Sequence, residues 1–383
     1  MKRFLFVVPP FAGHVYPTLS VARELVTRGH RVAWAAHASA VGTLLPAEAE
    51  VFPLDADGHA PPWQFLERAT RLRGLESLRF LWRDLLVPLA KATLPRVLGV
   101  LEDFAPDVVI CDHQVIAASL AARKRGARFA TFCTTSASVV DPLSDLPKVR
   151  QWIDDQIAAL ERDAGLEPSS SSDLSPDLVV VFSTEALIGA RVWPEHYRFV
   201  GPSIGGRSDG TPFPWEALQD RPRIFVSLGT ISADAGAHFY SAAVAALRDL
   251  DVQVILAAPP RLVPSPPSSF IVRARVPQLA LLPHVDAVVC HGGHNTVCEA
   301  LAHGLPLVVT PIRDDQPVVA QQVVRAGAGL RVRYGRLSED SLRAAVLRVL
   351  REPSFRASAM RVRDSFRAAG GAKAAATALE KVA

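Results

Sequence analysis

The segment VVCHGGHNTVCEALAHGLPLVV, residues 288–309, places Cys290, His291, His294 and Cys298 around a Gly-Gly pair. Two chemistries use such residues: a thiolate–imidazole metal site, or a glycine turn that holds a phosphate. DAVVC reads as a strand, HGGHN as a turn and TVCEALAHG as a helix ending at Gly304. A strand sends neighbouring side chains to opposite faces, so Cys290 points inward while His291 points to the turn. Cys298 falls in the first helical turns, where it packs, and the CxxC or HxxxH spacing of a metal site is missing. The phosphate turn is the better reading. Gly292, Gly293, His294, Asn295 and Thr296 then lie at a helix N-terminus, whose first amides have no partner within the helix. Glycine lets a polyanion approach the backbone, His291 can donate to a phosphate oxygen, and Asn295 and Thr296 can cap the helix or add donors.

Other turns carry similar groups. IFVSLGT ends a strand in Ser227, Leu228, Gly229 and Thr230, where hydroxyls and amides suit a phosphate. Asp315 and Gln316 directly follow the strand LPLVVTP, and a carboxylate beside an amide suits sugar hydroxyls. Taken singly, each is an ordinary surface loop; three turns at strand ends point to one ligand. Near the amino terminus, PPFAGHVYPTLS puts His14 in a loop after the first strand, and DVVICD ends a second strand at Asp112. A lone loop histidine is commonly a surface residue, but a carboxylate behind it makes a general base. His113 adjoins the aspartate, is expected to point elsewhere, and is read as structural.

The elements that must position these residues follow from patterning. Apolar runs bounded by Gly, Pro or Asp recur in both halves: RFLFVV, RVAWAA, DVVICD, RFATFC and LVVVFS, then RIFVSLG, VQVILAA, FIVRAR, AVVCHG and LPLVVTP. Such runs suit strands buried on both faces of a parallel sheet. Helical patterns separate them, such as TLSVARELVTRGH, with Leu19, Ala22, Leu25 and Val26 on one face and Gly29 at its end. The expected fold is α/β with two doubly wound, Rossmann-like parallel-sheet domains. The chain's 383 residues fit two domains. FVGPSIGGRSDGTPFP reads as their linker, giving domains at 1–205 and 206–365 with a terminal helix at 366–383. The segments 167–177 and 258–269 read as loops. The stretch around Trp63, Phe65, Phe80 and Trp82 is helical and rich in large apolar side chains, which are core residues by default or the lining of an apolar pocket.

Composition sets the limits. Hydrophobic residues make up 49% and charged residues 21%, ordinary for a globular enzyme, and a net charge of +4 gives no case for nucleic acid. The four cysteines show no disulfide framework, which suits reduced thiols in a cytoplasmic protein. The opening MKRFLFVVPPFAGH is too short for a signal h-region and reads as a buried strand. No stretch approaches the length of a transmembrane helix.

Residues 275–323, together with GHVYPTLSVARELVTRGHRVAWA, resemble the UDP-glycosyltransferase-like family 1 enzymes of the GT-B fold, and most closely the bacterial members that glycosylate antibiotics and other secondary metabolites. The likeness runs along nearly the whole chain. It implies two domains facing a central cleft and an inverting transfer of a hexose or deoxyhexose from a UDP- or dTDP-sugar to a hydroxyl of an apolar small molecule. His14 would be the base and Asp112 its partner. His291, Gly292, Gly293, Asn295 and Thr296, with Ser227, Gly229 and Thr230, would bind the diphosphate. Glu299 would hold ribose, Gln278 would lie near ribose and base, and Asp315 and Gln316 would hold the sugar. His294 stands where many relatives carry an aromatic residue. Arg275, beside Val276, stands where plant relatives stack a Trp on the base, a contact a guanidinium plane can replace. Phe11, Trp63, Phe65, Phe80 and Trp82 would face the acceptor, and the last helix would return to the first domain. No cofactor or metal is implied, since the nucleotide sugar is a co-substrate. A monomer or homodimer fits.

Two rivals remain at this point. A lipid or cell-wall glycosyltransferase of the same fold shares a similar GHVYP motif, yet this chain has Pro9-Pro10-Phe11-Ala12 where those enzymes carry a glycine-rich turn. Arg-rich tail helices could touch anionic lipid or form a solvated face. A nucleotide-sugar epimerase would need acid and base groups at the sugar ring and no acceptor site.

Overall fold

The computed structural model describes residues 1–55, 72–140, 143, 145–169, 174–205, 210–229 and 236–383. It forms two compact units, Met1–Ser183 with Arg191–Arg207 and Ala369–Ala383, and Thr184–Ala190 with Ser208–Ala368. The first unit thus ends slightly later than the expected residue 205, and the final helix begins slightly later than 366. Thr184–Ala190 also joins the second unit, contrary to the sequence division. There the Thr184 hydroxyl lies 2.7 Å from that of Ser365, and the short helix Glu185–Ile188 packs on the helix Gln316–Arg325.

The first unit holds a parallel sheet of β1 (Arg3–Val7), β2 (Arg31–Ala36), β3 (Glu50–Pro53), β4 (Val108–Asp112), β5 (Phe129–Cys133), β6 (Leu178–Val181) and β7 (Tyr197–Phe199), in the order β3-β2-β1-β4-β5-β6-β7. The second has β8 (Arg223–Ser227), β9 (Gln253–Ala257), β10 (Phe270–Arg273), β11 (Ala287–Cys290), β12 (Leu307–Val309) and β13 (Gly329–Arg331), in the order β10-β9-β8-β11-β12-β13. Each sheet starts in its middle, winds one way, then crosses back beside its first strand. β1 therefore pairs with both β2 and β4, and β8 with both β9 and β11. A crevice opens outside the carboxyl ends of strands at such a reversal. Both sites described below sit there.

Alternation along β1 shows why its apolar run is continuous. Phe4 and Phe6 enter one core of the first unit, and Leu5 and Val7 enter the other. β3, β7 and β13 were not anticipated. They are short edge strands with mixed exposure, so they lack the signature of a strand covered on both faces.

The helix Ala12–Thr27 starts a turn and a half earlier than the pattern indicates. Pro17 lies inside the helix, whose first turn is held by amides of His14 and Val15 donating to the Phe11 carbonyl. Gly29 follows the helix with φ of 84°. Val26, expected on the apolar face, is 55% exposed, while Val15, Val21, Ala22 and Leu25 are buried.

The last helix, Gly371–Val382, packs on the Phe4/Phe6 face and buries Ala375, Ala376 and Leu379 completely. The Gly371 amide donates to Val200 O at 2.7 Å. Glu380 accepts from Arg28 Nη1 at 2.6 Å and lies 2.8 Å from His30 Nε2. In the preceding helices, Arg343, Arg348, Arg356 and Arg363 meet carboxylates of their own surface, as a solvated face does. Among the described residues no helix is long and apolar enough to cross a membrane.

Removing a fully buried side chain leaves a cavity as well as lost burial. Leu379→Ala should destabilise the first unit by about 2–5 kcal/mol, read as a lower denaturation midpoint. The exposed Lys381→Ala should change it by less than about 0.5 kcal/mol.

Candidate active site

The first constellation sits where β1 and β4 end side by side. His14 lies in the first turn of the helix Ala12–Thr27 rather than in a loop, because that helix begins early. Its Nδ1 is 3.0 and 2.9 Å from the two carboxylate oxygens of Asp112, the last residue of β4. Asp112 is 3% exposed. The Thr134 hydroxyl donates to Asp112 Oδ2 at 2.9 Å and lies 2.8 Å from His14 Nδ1. The Gln114 amide donates to Asp112 Oδ1 at 2.9 Å.

His113 does not point elsewhere. Its Nδ1 is 3.6 Å from Asp112 Oδ1, and its ring stacks on that of His14 with centroids 5.4 Å apart. The strand ends at Asp112 and the chain turns, so the alternation that separates neighbouring side chains stops there.

Burial alone would raise the Asp112 carboxyl. The charges of His14 and His113, with hydrogen bonds from His14 and the Gln114 amide, outweigh it and hold the group below the usual carboxylate range. Burial, with His14 adding and Asp112 opposing, pushes His113 down to about 4. At neutral pH an ionised carboxylate therefore faces His14 Nδ1. It fixes the proton on that nitrogen and leaves the Nε2 lone pair able to accept another. Thr134 was missed. Its signal is position: it follows β5, whose Phe132 is in register with Asp112.

Among the aromatic candidates, Phe11 lies 5.9 Å from the His14 ring, centroid to centroid. Phe80 is buried, and Trp82 packs against the first unit's core. Trp63 and Phe65, like Thr230 of the other unit, lie outside the described residues.

The second constellation repeats the plan at β8 and β11, where Ser227 is in register with Cys290. Cys290 is fully buried and His291 turns toward the β8 turn. The imidazole lies between two glycines: a Cβ on Gly229 would sit 2.6 Å from its Cε1, and one on Gly293 would sit 2.6 Å from its Nε2. Gly229 also has φ of 70°, the left-handed region that glycine tolerates. The Gly229 amide donates to Ser227 Oγ at 3.1 Å.

The helix His294–Ala302 starts at Gly293, which provides no side-chain cap. Asn295 and Thr296 thus fall inside the first turn rather than at the cap. His294 is buried, with Nε2 3.5 Å from Cys298 Sγ. Burial pushes the Cys290 thiol up to about 12 and Cys298 higher still, with Glu299 adding to the latter. Both thiols are buried and protonated at neutral pH.

Gln278 Nε2 donates to Glu299 Oε2 at 2.6 Å, joining two residues expected near ribose. Arg275 is exposed and Val276 buried. Gln316 is buried, and its Oε1 accepts from the amides of Ile312 and Arg313 at 2.8 and 3.2 Å. Only its amide nitrogen is left for a ligand. Asp315 precedes it, half-buried, as the first residue outside the helix Gln316–Arg325. The β11 and β12 turns touch, since a Cβ on Gly292 would meet Val309 Cγ1 at 2.7 Å and Gln316 O at 3.3 Å.

Two parallel-sheet units of this kind define the GT-B fold, and comparison with known proteins supports it. The chain shares a TM-score of 0.79 and 26% identity with the glycotransferase of kitacinnamycin, covering 100% of this chain and 98% of that one. With the calicheamicin glycosyltransferase CalG4 the values are 0.82 and 24%, over 100% and 98% of the two chains. The family model of the erythromycin biosynthesis protein CIII-like C-terminal domain matches residues 241–381. Along 405 aligned residues the chain is 33% identical to 4'-demethylrebeccamycin synthase of Lentzea aerocolonigenes, covering 96% of each. The chain belongs to the GT-B glycosyltransferases of antibiotic pathways, and it is an enzyme that transfers sugar to a small-molecule acceptor.

Burial pushes His291 down to about 4, with the Arg313 guanidinium adding and the Ser227 backbone opposing. Its resonances should therefore show a neutral ring from pH 9 down to about 5. An unfolded histidine, at about 6.5, takes up its proton first as the pH falls. Stability should thus decline from about pH 6.5 toward 4, and less steeply in His291→Gln.

Proposed function

We propose that the enzyme moves a hexose or deoxyhexose from a UDP- or dTDP-sugar to a hydroxyl of an apolar natural product, with inversion at the anomeric carbon. The observation that carries this reading is the contact of His14 Nδ1 with both oxygens of the buried Asp112. Nε2 takes the acceptor's proton as its oxygen bonds to the anomeric carbon. The bond from that carbon to the nucleoside diphosphate breaks on the opposite face, and Asp112 stabilises the imidazolium. Phe11, against the His14 ring, offers the acceptor an apolar wall.

The second unit holds the donor. A neutral His291 donates to a diphosphate oxygen, and the first-turn amides of the helix His294–Ala302 with the helix dipole receive the charge that grows on the leaving group. No metal is assigned to that task. Glu299, oriented by Gln278, accepts from ribose hydroxyls. Asp315 accepts from the sugar, and Gln316 donates through its amide nitrogen. The natural products in the names of 4'-demethylrebeccamycin synthase and the two solved structures support a natural-product acceptor.

His14→Ala and Asp112→Asn should each lower kcat by ~10²–10⁴-fold while calorimetry finds the Kd for UDP or dTDP unchanged. Undiminished turnover in His14→Ala overturns the base assignment, and a product that retains the donor's anomeric configuration overturns the single displacement.

Gly229→Ala forces the His291 ring aside and should weaken nucleoside diphosphate binding at least about tenfold, or 1.4 kcal/mol. A calorimetric panel of UDP, dTDP and GDP on wild type and variant measures this and selects the base.

A further inference from the structure

We propose that His14, Asp112 and His113 form a site for one divalent transition-metal ion of the zinc class, and that this ion switches the catalytic base off. One donor atom from each residue lies within 4.8 Å of the others. His14 Nδ1 is 2.9 Å from Asp112 Oδ2, and His113 Nδ1 is 3.6 Å from Asp112 Oδ1. The Thr134 hydroxyl adds a fourth donor, 2.8 Å from His14 Nδ1 and 3.4 Å from His113 Nδ1. Zinc holds nitrogen and oxygen ligands at about 2.0–2.2 Å, which places tetrahedral donors about 3.3 Å apart. The separations here straddle that value, so small side-chain rotations admit an ion.

Two imidazoles and a carboxylate are a zinc-type donor set, and they discriminate against magnesium, which prefers an all-oxygen shell. The Gln114 amide already orients Asp112, as outer-shell donors do for metal ligands. The His14 side chain is 16% exposed and gives the ion its way in. Among the described residues no other three such side chains converge in this way. In the Cys290–Cys298 segment, whose composition first suggests a metal, Cys298 Sγ lies 3.5 Å from His294 Nε2.

The blockade rests on the base role proposed for His14. Catalysis needs the proton on Nδ1 and the lone pair on Nε2. A metal at Nδ1 needs a lone pair on that nitrogen, so its proton leaves and the neutral ring takes one up at Nε2, becoming the Nε2–H tautomer. Nε2 then has nothing with which to accept the acceptor's proton. No bond to the protein is broken and no redox step occurs, so chelation restores the enzyme.

Cobalt titration of the metal-free enzyme tests the site, because four-coordinate Co²⁺ absorbs in the visible. One equivalent should give bands that Zn²⁺ displaces, that His113→Phe and His113→Gln abolish, and that Cys298→Ser leaves intact. Zn²⁺, but not Mg²⁺, should inhibit turnover reversibly by EDTA. Relative to its own metal-free rate, each His113 variant should need at least about tenfold more Zn²⁺ for half-inhibition. Absent bands, bands that survive in folded His113 variants, or bands lost in Cys298→Ser overturn the site. Bands without inhibition overturn the blockade, and the metal-free rate of His14→Ala then tells separately whether the base role falls with it.

Discussion

Strand adjacency at the two reversals is the constraint from which the chemistry follows. β4 lies against β1, with Cys111 in register with Val7, so the next residue, Asp112, meets the helix that follows β1 at its first turn. β11 lies against β8 in the same way, with Cys290 opposite Ser227, and His291 therefore reaches the β8 turn. Neither pair is close in sequence. Each is close because a parallel sheet wound outward from its middle must return beside its first strand. A one-residue slip in either pairing would turn Asp112 or His291 to the opposite face and dissolve the site.

Glycine is the second requirement, and it operates through space rather than chain flexibility. The His291 ring occupies the volume that Cβ atoms at Gly229 and Gly293 would need. The β11 turn leans on the β12 turn only because Gly292 has no side chain to strike Val309 and Gln316. Three turns from separate strands can then crowd around one small volume.

Much of this was legible in the chain because buried parallel strands announce themselves. Ten continuous apolar runs, a helix stop at Gly29 and the glycine turn after β11 carry the architecture and the pairing of His14 with Asp112. What escaped did so for physical reasons. Edge strands such as Tyr197–Phe199 are covered on one side and lose the apolar run. The early start of the first helix rests on backbone amides donating to the Phe11 carbonyl, which side-chain periodicity does not show. His113 was misread because strand alternation was carried one residue beyond the strand's end, and Thr134 because a hydroxyl shows its partners only when β5 is laid beside β4. The role of Gln316 as a clamp on its own loop depends on amides at Ile312 and Arg313, which no side-chain pattern reveals.

The two halves build the same frame and then separate by electrostatics. Each places a histidine beside the carboxyl end of a central strand. His14 faces a carboxylate that is held ionised by its histidine and amide neighbours. His291 has a guanidinium, Arg313, in its surroundings and is kept neutral by burial. A carboxylate behind an imidazole stabilises the protonated ring and makes it a proton acceptor. A cation beside an imidazole does the reverse and leaves a hydrogen-bond donor that does not titrate near neutrality. One duplicated geometry thus gives two imidazoles of different character, one facing a carboxylate and one held neutral by burial with a guanidinium adding to it.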